Sequence, residues 1–124
     1  MSTTPIQPRA LTELESGVVT KLLSSGAAGA GEFLSQIPFV QVVATWGVGS
    51  PSVDLSVLPS AVPASGSTDG IFASGAVTDR NGAPVGEAIL WVENGRLSGI
   101  EYAWYTDERP RALPEPARIE VLVR

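Results

Sequence analysis

Two largely apolar stretches rich in strand-forming residues flank Asn94 and Gly95 within residues 85–105. In such strands successive side chains point to opposite faces, so each stretch has two sides. Asn-Gly tolerates the positive φ angles of a type I′ turn, and the twist of that turn matches the twist of paired strands. The pattern predicts a β-hairpin around which the rest of the chain is organised.

The two-residue turn predicts which residues of the hairpin face each other. It places Glu93 opposite Arg96, and this pair of opposite charges favours the register by about 0.2–1 kcal/mol. Further from the turn the same register pairs Val92 with Leu97, Leu90 with Gly99, and Ile89 with Ile100.

The predicted register gives the hairpin two faces, both largely apolar. One face carries Ile89, Trp91, Ile100, Tyr102 and Trp104. We expect this face to be the core side, because the opposite face must accommodate Glu101. The small residues of the opposite face leave an alternative in which a helix packs there instead: Ala88, Gly99 and Ala103.

Two helices are predicted before the strands. Thr12 followed by Glu15 three residues later is typical of a capping box, and apolar residues then recur at helical spacing. The first helix should end at residues 24–26, where a glycine can adopt a left-handed cap. A short second helix is expected over residues 30–37, since Pro38 disfavours helical geometry in the residue before it.

Period-two patterns predict strands beyond the hairpin at residues 39–46, 53–57, 71–79 and 118–123. The connections between them are short and contain no helix, which favours antiparallel pairing. We therefore predict an α+β fold with N-terminal helices packed on an antiparallel sheet of five to six strands, built around the central hairpin. The loop at residues 59–70 is rich in proline, serine and glycine; loops of this length are often mobile or functional, and we favour a mobile loop here.

A chain of 124 residues fits one domain. We interpret residues 11–124 as a single α+β domain, and residues 1–10, rich in serine, threonine and proline, as a flexible lead-in. The formal net charge of −5 disfavours nucleic acid as a partner. No stretch has the length of a membrane span and no secretory signal is recognisable, so we expect a soluble cytoplasmic protein without a membrane partner.

The chain contains neither histidine nor cysteine. The absence of histidine removes the usual general base near neutral pH and Ser-His-Asp catalysis. The absence of cysteine removes disulfides, thiolate zinc sites and a thiol nucleophile. The glycine clusters do not have the pattern of a phosphate-binding loop. We therefore predict no catalytic residue, no metal site and no cofactor.

The candidate contact residues cluster at the end of the hairpin: Trp91, Glu101, Tyr102, Trp104, Tyr105, Asp107 and Glu108. The aromatic side chains could anchor a protein partner, or they could fill the core. The carboxylates could perform acid–base work or bind calcium, or they could form a solvated edge. The nearby Arg109 and Arg111 could pair with these acids or with an acidic partner.

Two stretches, GVGSPSVDLSV at residues 47–57 and DRNGAPVGEAILWVENGRLSGIEY at residues 79–102, resemble a small actinobacterial domain family of unknown function. Its members have an N-terminal helix, a Gly-Cys-Gly-Cys-Pro-Ser-type turn into a strand, and a late Asp-Gly-Arg-Leu-Ser hairpin followed by Leu-Glu. Here Val48 and Ser50 replace the cysteines, and Ile100 with Glu101 replaces the Leu-Glu pair. The resemblance covers about two thirds of the chain and implies no established activity.

Three functional hypotheses follow from the sequence. The first is a non-enzymatic protein-interaction or regulatory module of the toxin-neutralising type, suggested by the acidic charge and the aromatic hairpin. The second is a small-ligand binder or a carboxylate-based enzyme using Glu101 and Asp107. The third is a structural or assembly subunit that buries a hairpin face in an oligomer, although the sequence does not reveal the oligomeric state.

Overall fold

Residues 3–122, which the computed structural model describes, contain seven strands in one antiparallel sheet. The strands are β1 (Thr4–Ala10), β2 (Val40–Thr45), β3 (Val53–Val57), β4 (Gly70–Thr78), β5 (Pro84–Glu93), β6 (Arg96–Trp104) and β7 (Ile119–Val121). Their spatial order is β1-β2-β3-β6-β5-β4-β7. The helices are α1 (Glu13–Leu23) and α2 (Ala30–Leu34), with 3-10 turns at Ile37–Phe39 and Pro116–Arg118. These elements confirm the α+β class with an antiparallel sheet.

The strand that the sequence pattern misses is β1. Residues 1–10 were expected to form a flexible lead-in, but Thr4–Ala10 pairs with β2 at the edge of the sheet. Pro5 and Pro8 lie within this strand, and the pairing register shifts between Pro5 and Arg9. Proline lacks a backbone N–H and is tolerated in edge strands, so these residues hide the strand from a propensity argument without preventing it.

The central hairpin is confirmed, with φ of 53° at Asn94 and 74° at Gly95. Next to the turn, the predicted pairs Glu93–Arg96 and Val92–Leu97 are correct. A bulge at Ser98 then shifts the register by one residue. The observed pairs beyond it are Trp91 with Gly99, Leu90 with Ile100, and Ile89 with Glu101, so the predicted pairs Leu90–Gly99 and Ile89–Ile100 are wrong.

The bulge also corrects the predicted faces of the hairpin. Ile100 and Tyr102 face the core as expected, but Ile89 and Trp91 lie on the opposite face from them. The core side of β5 consists instead of Ala88, Leu90 and Val92, with exposed fractions of 0%, 0% and 2%. Helix α1 packs over β4, β5 and β7, and its buried side chains are Glu15, Val18, Val19, Leu22 and Leu23.

The buried side chain of Gln36 connects the segment after α2 to the hairpin turn by hydrogen bonds. Its Nε2 donates to the carbonyl oxygen of Gly95 at 2.8 Å and to that of Val62 at 3.2 Å. Its Oε1 accepts a hydrogen bond from the Leu97 N–H at 3.1 Å. Gln36 is 0% exposed, so these protein groups provide its hydrogen bonds in place of water.

The loop at residues 59–70 is tied to the hairpin turn, contrary to the expectation that it is mobile. The Ala64 N–H donates to the carbonyl oxygen of Gly95 at 2.8 Å, and the Asn94 N–H donates to Asp69 Oδ1 at 2.8 Å. Ala64 is itself buried, as is Ala61. The proline and serine content of the loop does not reveal these contacts, because they join the loop to residues distant in sequence.

The predicted capping box at the start of α1 is confirmed. The Glu15 N–H donates to Thr12 Oγ1 at 3.1 Å, and the Thr12 N–H donates to Glu15 Oε1 at 2.8 Å. Arg9 of β1 adds two hydrogen bonds to the same carboxylate, at 2.8 and 3.0 Å. Burial alone would raise the pKa of Glu15, but the hydrogen bonds from Arg9 and Thr12 and the charge of Arg9 together lower that pKa.

Replacing Gln36 by leucine tests its role in joining the two halves of the chain. The substitution keeps the buried volume similar but leaves the Leu97 N–H without the acceptor it has now. We expect Gln36→Leu to lower the free energy of unfolding by about 2–3 kcal/mol, measured by urea denaturation. The exposed Gln7 provides the control, since Gln7→Leu should change the free energy of unfolding by less than about 0.5 kcal/mol. Equal effects of the two substitutions would contradict the assignment.

Substitutions at two turn glycines with similar φ angles distinguish the cost of backbone strain from the cost of a clash with neighbouring atoms. Gly82 has φ of +80° and open space where a Cβ would lie. Gly95 has φ of +74°, but a Cβ there would lie 2.5 Å from the carbonyl oxygen of Ala64. We expect Gly82→Ala to cost about 1 kcal/mol of unfolding free energy. Gly95→Ala should cost about 2 kcal/mol more. Equal losses of unfolding free energy for the two variants in chemical denaturation would show that the 59–70 loop does not pack closely against Gly95.

The Arg9–Glu15 pair predicts a pH-dependent effect of Arg9→Gln. Because the pKa of Glu15 is lowered by folding, its stabilisation is present above the ordinary value of 4.5 and is lost as pH falls through the lower folded value. Arg9 is partly exposed, which limits the effect at pH 7 to about 1 kcal/mol of unfolding free energy. The difference between wild type and variant should shrink in acid. A difference that is constant from pH 7 to pH 3 would contradict this account.

Candidate functional site

An open cleft of about 600 Å³ lies where β6 runs past the first residue of β3. We call it the β6 cleft, and its lining includes Trp46, Ser52, Glu101, Tyr102, Trp104 and Arg109. The side chains come from the end of β2, from the 47–52 turn, from the end of β6 and from the segment that follows it. The cleft is therefore formed by parts of the chain that are about 50 residues apart in sequence.

The 47–52 turn is held against β6 by a buried serine. The Tyr102 N–H donates to Ser52 Oγ at 2.9 Å, and Ser52 is only 3% exposed. On the other side of the turn, the Trp46 N–H donates to the carbonyl oxygen of Ser52 at 3.0 Å. Ser52 thus positions both walls of the cleft, since it contacts the end of β2 and the end of β6 together.

Two indole–carboxylate hydrogen bonds fix aromatic side chains around the cleft. Trp46 Nε1 donates to Asp54 Oδ1 at 2.9 Å, and Trp91 Nε1 donates to Glu101 Oε1 at 3.0 Å. Asp54 of β3 thereby holds an indole of the cleft wall. Each hydrogen bond joins the indole N–H to one carboxylate oxygen. Both bonds therefore hold the aromatic ring in a fixed orientation.

The basic side of the cleft is provided by Arg109. Its Nη2 donates to the carbonyl oxygen of Val48 at 3.1 Å, which attaches the segment after β6 to the tip of the 47–52 turn. Val48 itself is 83% exposed. The surface around the cleft therefore carries an apolar tip and a guanidinium next to each other.

The structure separates the aromatic candidates into different environments. Tyr102 is 8% exposed and belongs to the core, and its burial raises the pKa of its hydroxyl. Trp91 is half-buried and acts on the cleft only by holding Glu101. Trp104 lines the cleft at 41% exposure, and Tyr105 follows it at 65%.

The acidic candidates do not converge on one point. Glu101 lines the cleft and is half-buried. Asp107 and Glu108 are exposed and line none of the cavities described here. Within residues 3–122 no group of three or more acidic side chains is arranged to hold a metal ion. Glu101 and Asp107, the two carboxylates of the enzyme hypothesis, therefore do not line the β6 cleft together.

Sequence reasoning missed Trp46 and Ser52 as site residues. Both lie in or beside segments whose secondary structure was predicted correctly, a strand and the turn after it. What the sequence does not give is that β3 lies beside β6 in the sheet, which brings the turn to the end of the hairpin. A tryptophan directly before a glycine-rich turn was the one local signal that could have marked this position.

No helix of the described chain, residues 3–122, is long and apolar enough to cross a membrane. The chain matches no protein-family model, no curated protein and no solved structure at a significant level. The resemblance of residues 47–57 and 79–102 to a domain family thus stays an expectation, and it assigns no role to any residue. The function has to be inferred from the geometry of the β6 cleft.

Proposed function

We propose that the chain is a non-enzymatic protein-interaction module that binds its partner through the β6 cleft and its rim. A regulatory partner that acts by occupying a surface, as a toxin-neutralising protein does, needs only such a contact. The proposal is supported by the position of exposed aromatic and basic side chains around one open apolar depression.

The observation that carries the proposal is the exposure of Trp104, Tyr105 and Val48, at 41%, 65% and 83%. Tryptophan, tyrosine and arginine are the residues that most often dominate binding energy at protein interfaces. Here Trp104 and Arg109 line the same cleft, and Val48 is bonded to Arg109. An isolated exposed aromatic residue would carry no such meaning, whereas Trp104 and Arg109 line one cleft and Arg109 is hydrogen-bonded to the exposed Val48.

The rigidity of the cleft walls also favours binding. Trp46 is fixed by Asp54, Glu101 is fixed by Trp91, and the turn between the walls is fixed by Ser52. A surface that is already ordered loses less side-chain entropy when a partner binds.

A small-ligand site in the same cleft is the second candidate. Its volume of about 600 Å³ lies within the range of about 300–1,000 Å³ that is common for ligand pockets. We rank it second because the cleft is open to solvent and because exposed apolar surface continues beyond its lining at Val48, which is hydrogen-bonded to the lining residue Arg109.

Replacing Trp104 and Tyr105 by alanine tests the proposed surface. We expect the double variant to bind the partner at least about tenfold more weakly, because truncation of such residues commonly costs 2 kcal/mol or more. The partner is first captured by wild type from the source cells and then titrated in purified form by calorimetry. Ile71→Ala on β4 is the matched control, since Ile71 is 41% exposed but does not line the cleft, and it should bind as wild type does.

Equal binding by the double variant and wild type would overturn the proposed surface. Self-association of wild type that the double variant abolishes would identify a second copy as the partner, as in an assembly subunit. A small molecule that raises the thermal stability of wild type but not of the double variant would favour the second candidate.

A further inference from the structure

Arg109 and Arg111 border a second depression, which adjoins the β6 cleft. It has a volume of about 630 Å³ and is lined by Val48, Gly49, Arg109, Pro110 and Arg111. We call it the arginine groove. Arg109 lines both depressions, so a segment that fills the cleft reaches the arginine groove without leaving the surface.

Among the described residues, neither guanidinium of the groove has a carboxylate partner. Within residues 3–122 the ion pair between Arg9 and Glu15 is the only one. Arg109 donates to the carbonyl oxygen of Val48, and Arg111 makes no side-chain hydrogen bond within the same residues. A guanidinium has five N–H donors in a planar fork that matches a carboxylate, so most donors of both residues remain open to a partner.

The acidic residues closest in sequence to the groove form no ion pair with its arginines among the described residues. Asp107 and Glu108 lie close to these arginines in sequence, yet neither forms an ion pair with them. Glu101 lies in the cleft and accepts a hydrogen bond from Trp91. The third arginine of this region, Arg9, is occupied by Glu15 through two of its nitrogens. Arg109 and Arg111 thus both lack an ion pair among the described residues, and they line the same groove.

We infer that the partner places an aspartate or glutamate side chain in the arginine groove while an adjacent apolar side chain enters the β6 cleft. The inference rests on the proposed function and specifies the chemistry of the partner. Two guanidinium groups suit one or two carboxylates, whereas a net charge of −5 opposes a phosphate backbone. The forked donors select the acid, and the tryptophan walls select its apolar neighbour.

Selection from a random displayed-peptide library with the full chain as bait tests the inference. We expect the selected peptides to combine an acidic residue with an adjacent aromatic or aliphatic residue. Their affinity for the Arg109→Gln/Arg111→Gln variant should fall roughly three- to tenfold, and added salt should weaken wild-type binding. Arg80→Gln is the matched control, because Arg80 is exposed and lines neither the groove nor the β6 cleft, and it should bind as wild type does.

The other outcomes separate the inference from the proposed function. Peptides that lack acidic residues, or that bind the double arginine variant as well as wild type, overturn the inference. If those same peptides are lost with Trp104→Ala, the proposed interaction surface stands. Selection of basic peptides would overturn the inference and point to Glu101 as the charged anchor. Peptides that bind regardless of Trp104, or no reproducible peptide at all, contradict the proposed function itself.

Discussion

The primary amide of Gln36 is enclosed by the chain and bonded on both sides to backbone groups of the hairpin turn, Gly95 and Leu97. A buried amide without hydrogen-bond partners destabilises the folded state, and without Gln36 the Leu97 N–H would have no acceptor. The Gln36 amide and the backbone of the hairpin turn therefore satisfy each other's hydrogen bonds. The same amide reaches Val62 and so includes the long loop in the arrangement. One side chain thereby connects the segment after α2, the loop and the hairpin turn by direct hydrogen bonds.

The candidate site lies at the end of the hairpin opposite the Asn94-Gly95 turn, and it depends on how the hairpin is positioned in the sheet. With the turn fixed, β6 ends beside the 47–52 turn, where the Tyr102 N–H meets Ser52 Oγ. The sheet order β2-β3-β6 then brings Trp46 to the same cleft as Trp104. Both anchors are polar side chains that bond backbone groups more than 45 residues away, which gives a chain without disulfides specific long-range connections.

Features encoded by neighbouring residues could be predicted, and features that depend on tertiary structure could not. The Asn94-Gly95 turn and the Thr12 capping box are local, because each needs a few residues and one backbone geometry. The bulge at Ser98 reversed half of the predicted hairpin faces, since a shift of one residue moves side chains to the other face. The site aromatics were found by composition, but their separation into core Tyr102 and exposed Trp104 depends on the sheet order.

Hydrogen exchange by NMR at the Gln36 side-chain amide tests the central claim most directly. If this amide joins the two halves of the chain, its protons and the Leu97 N–H should exchange only through global unfolding, with protection that matches the free energy of unfolding. The side-chain amide of the exposed Gln7 serves as the reference for free exchange. Exchange of the Gln36 amide as fast as that of Gln7, with Leu97 still protected, would contradict the account.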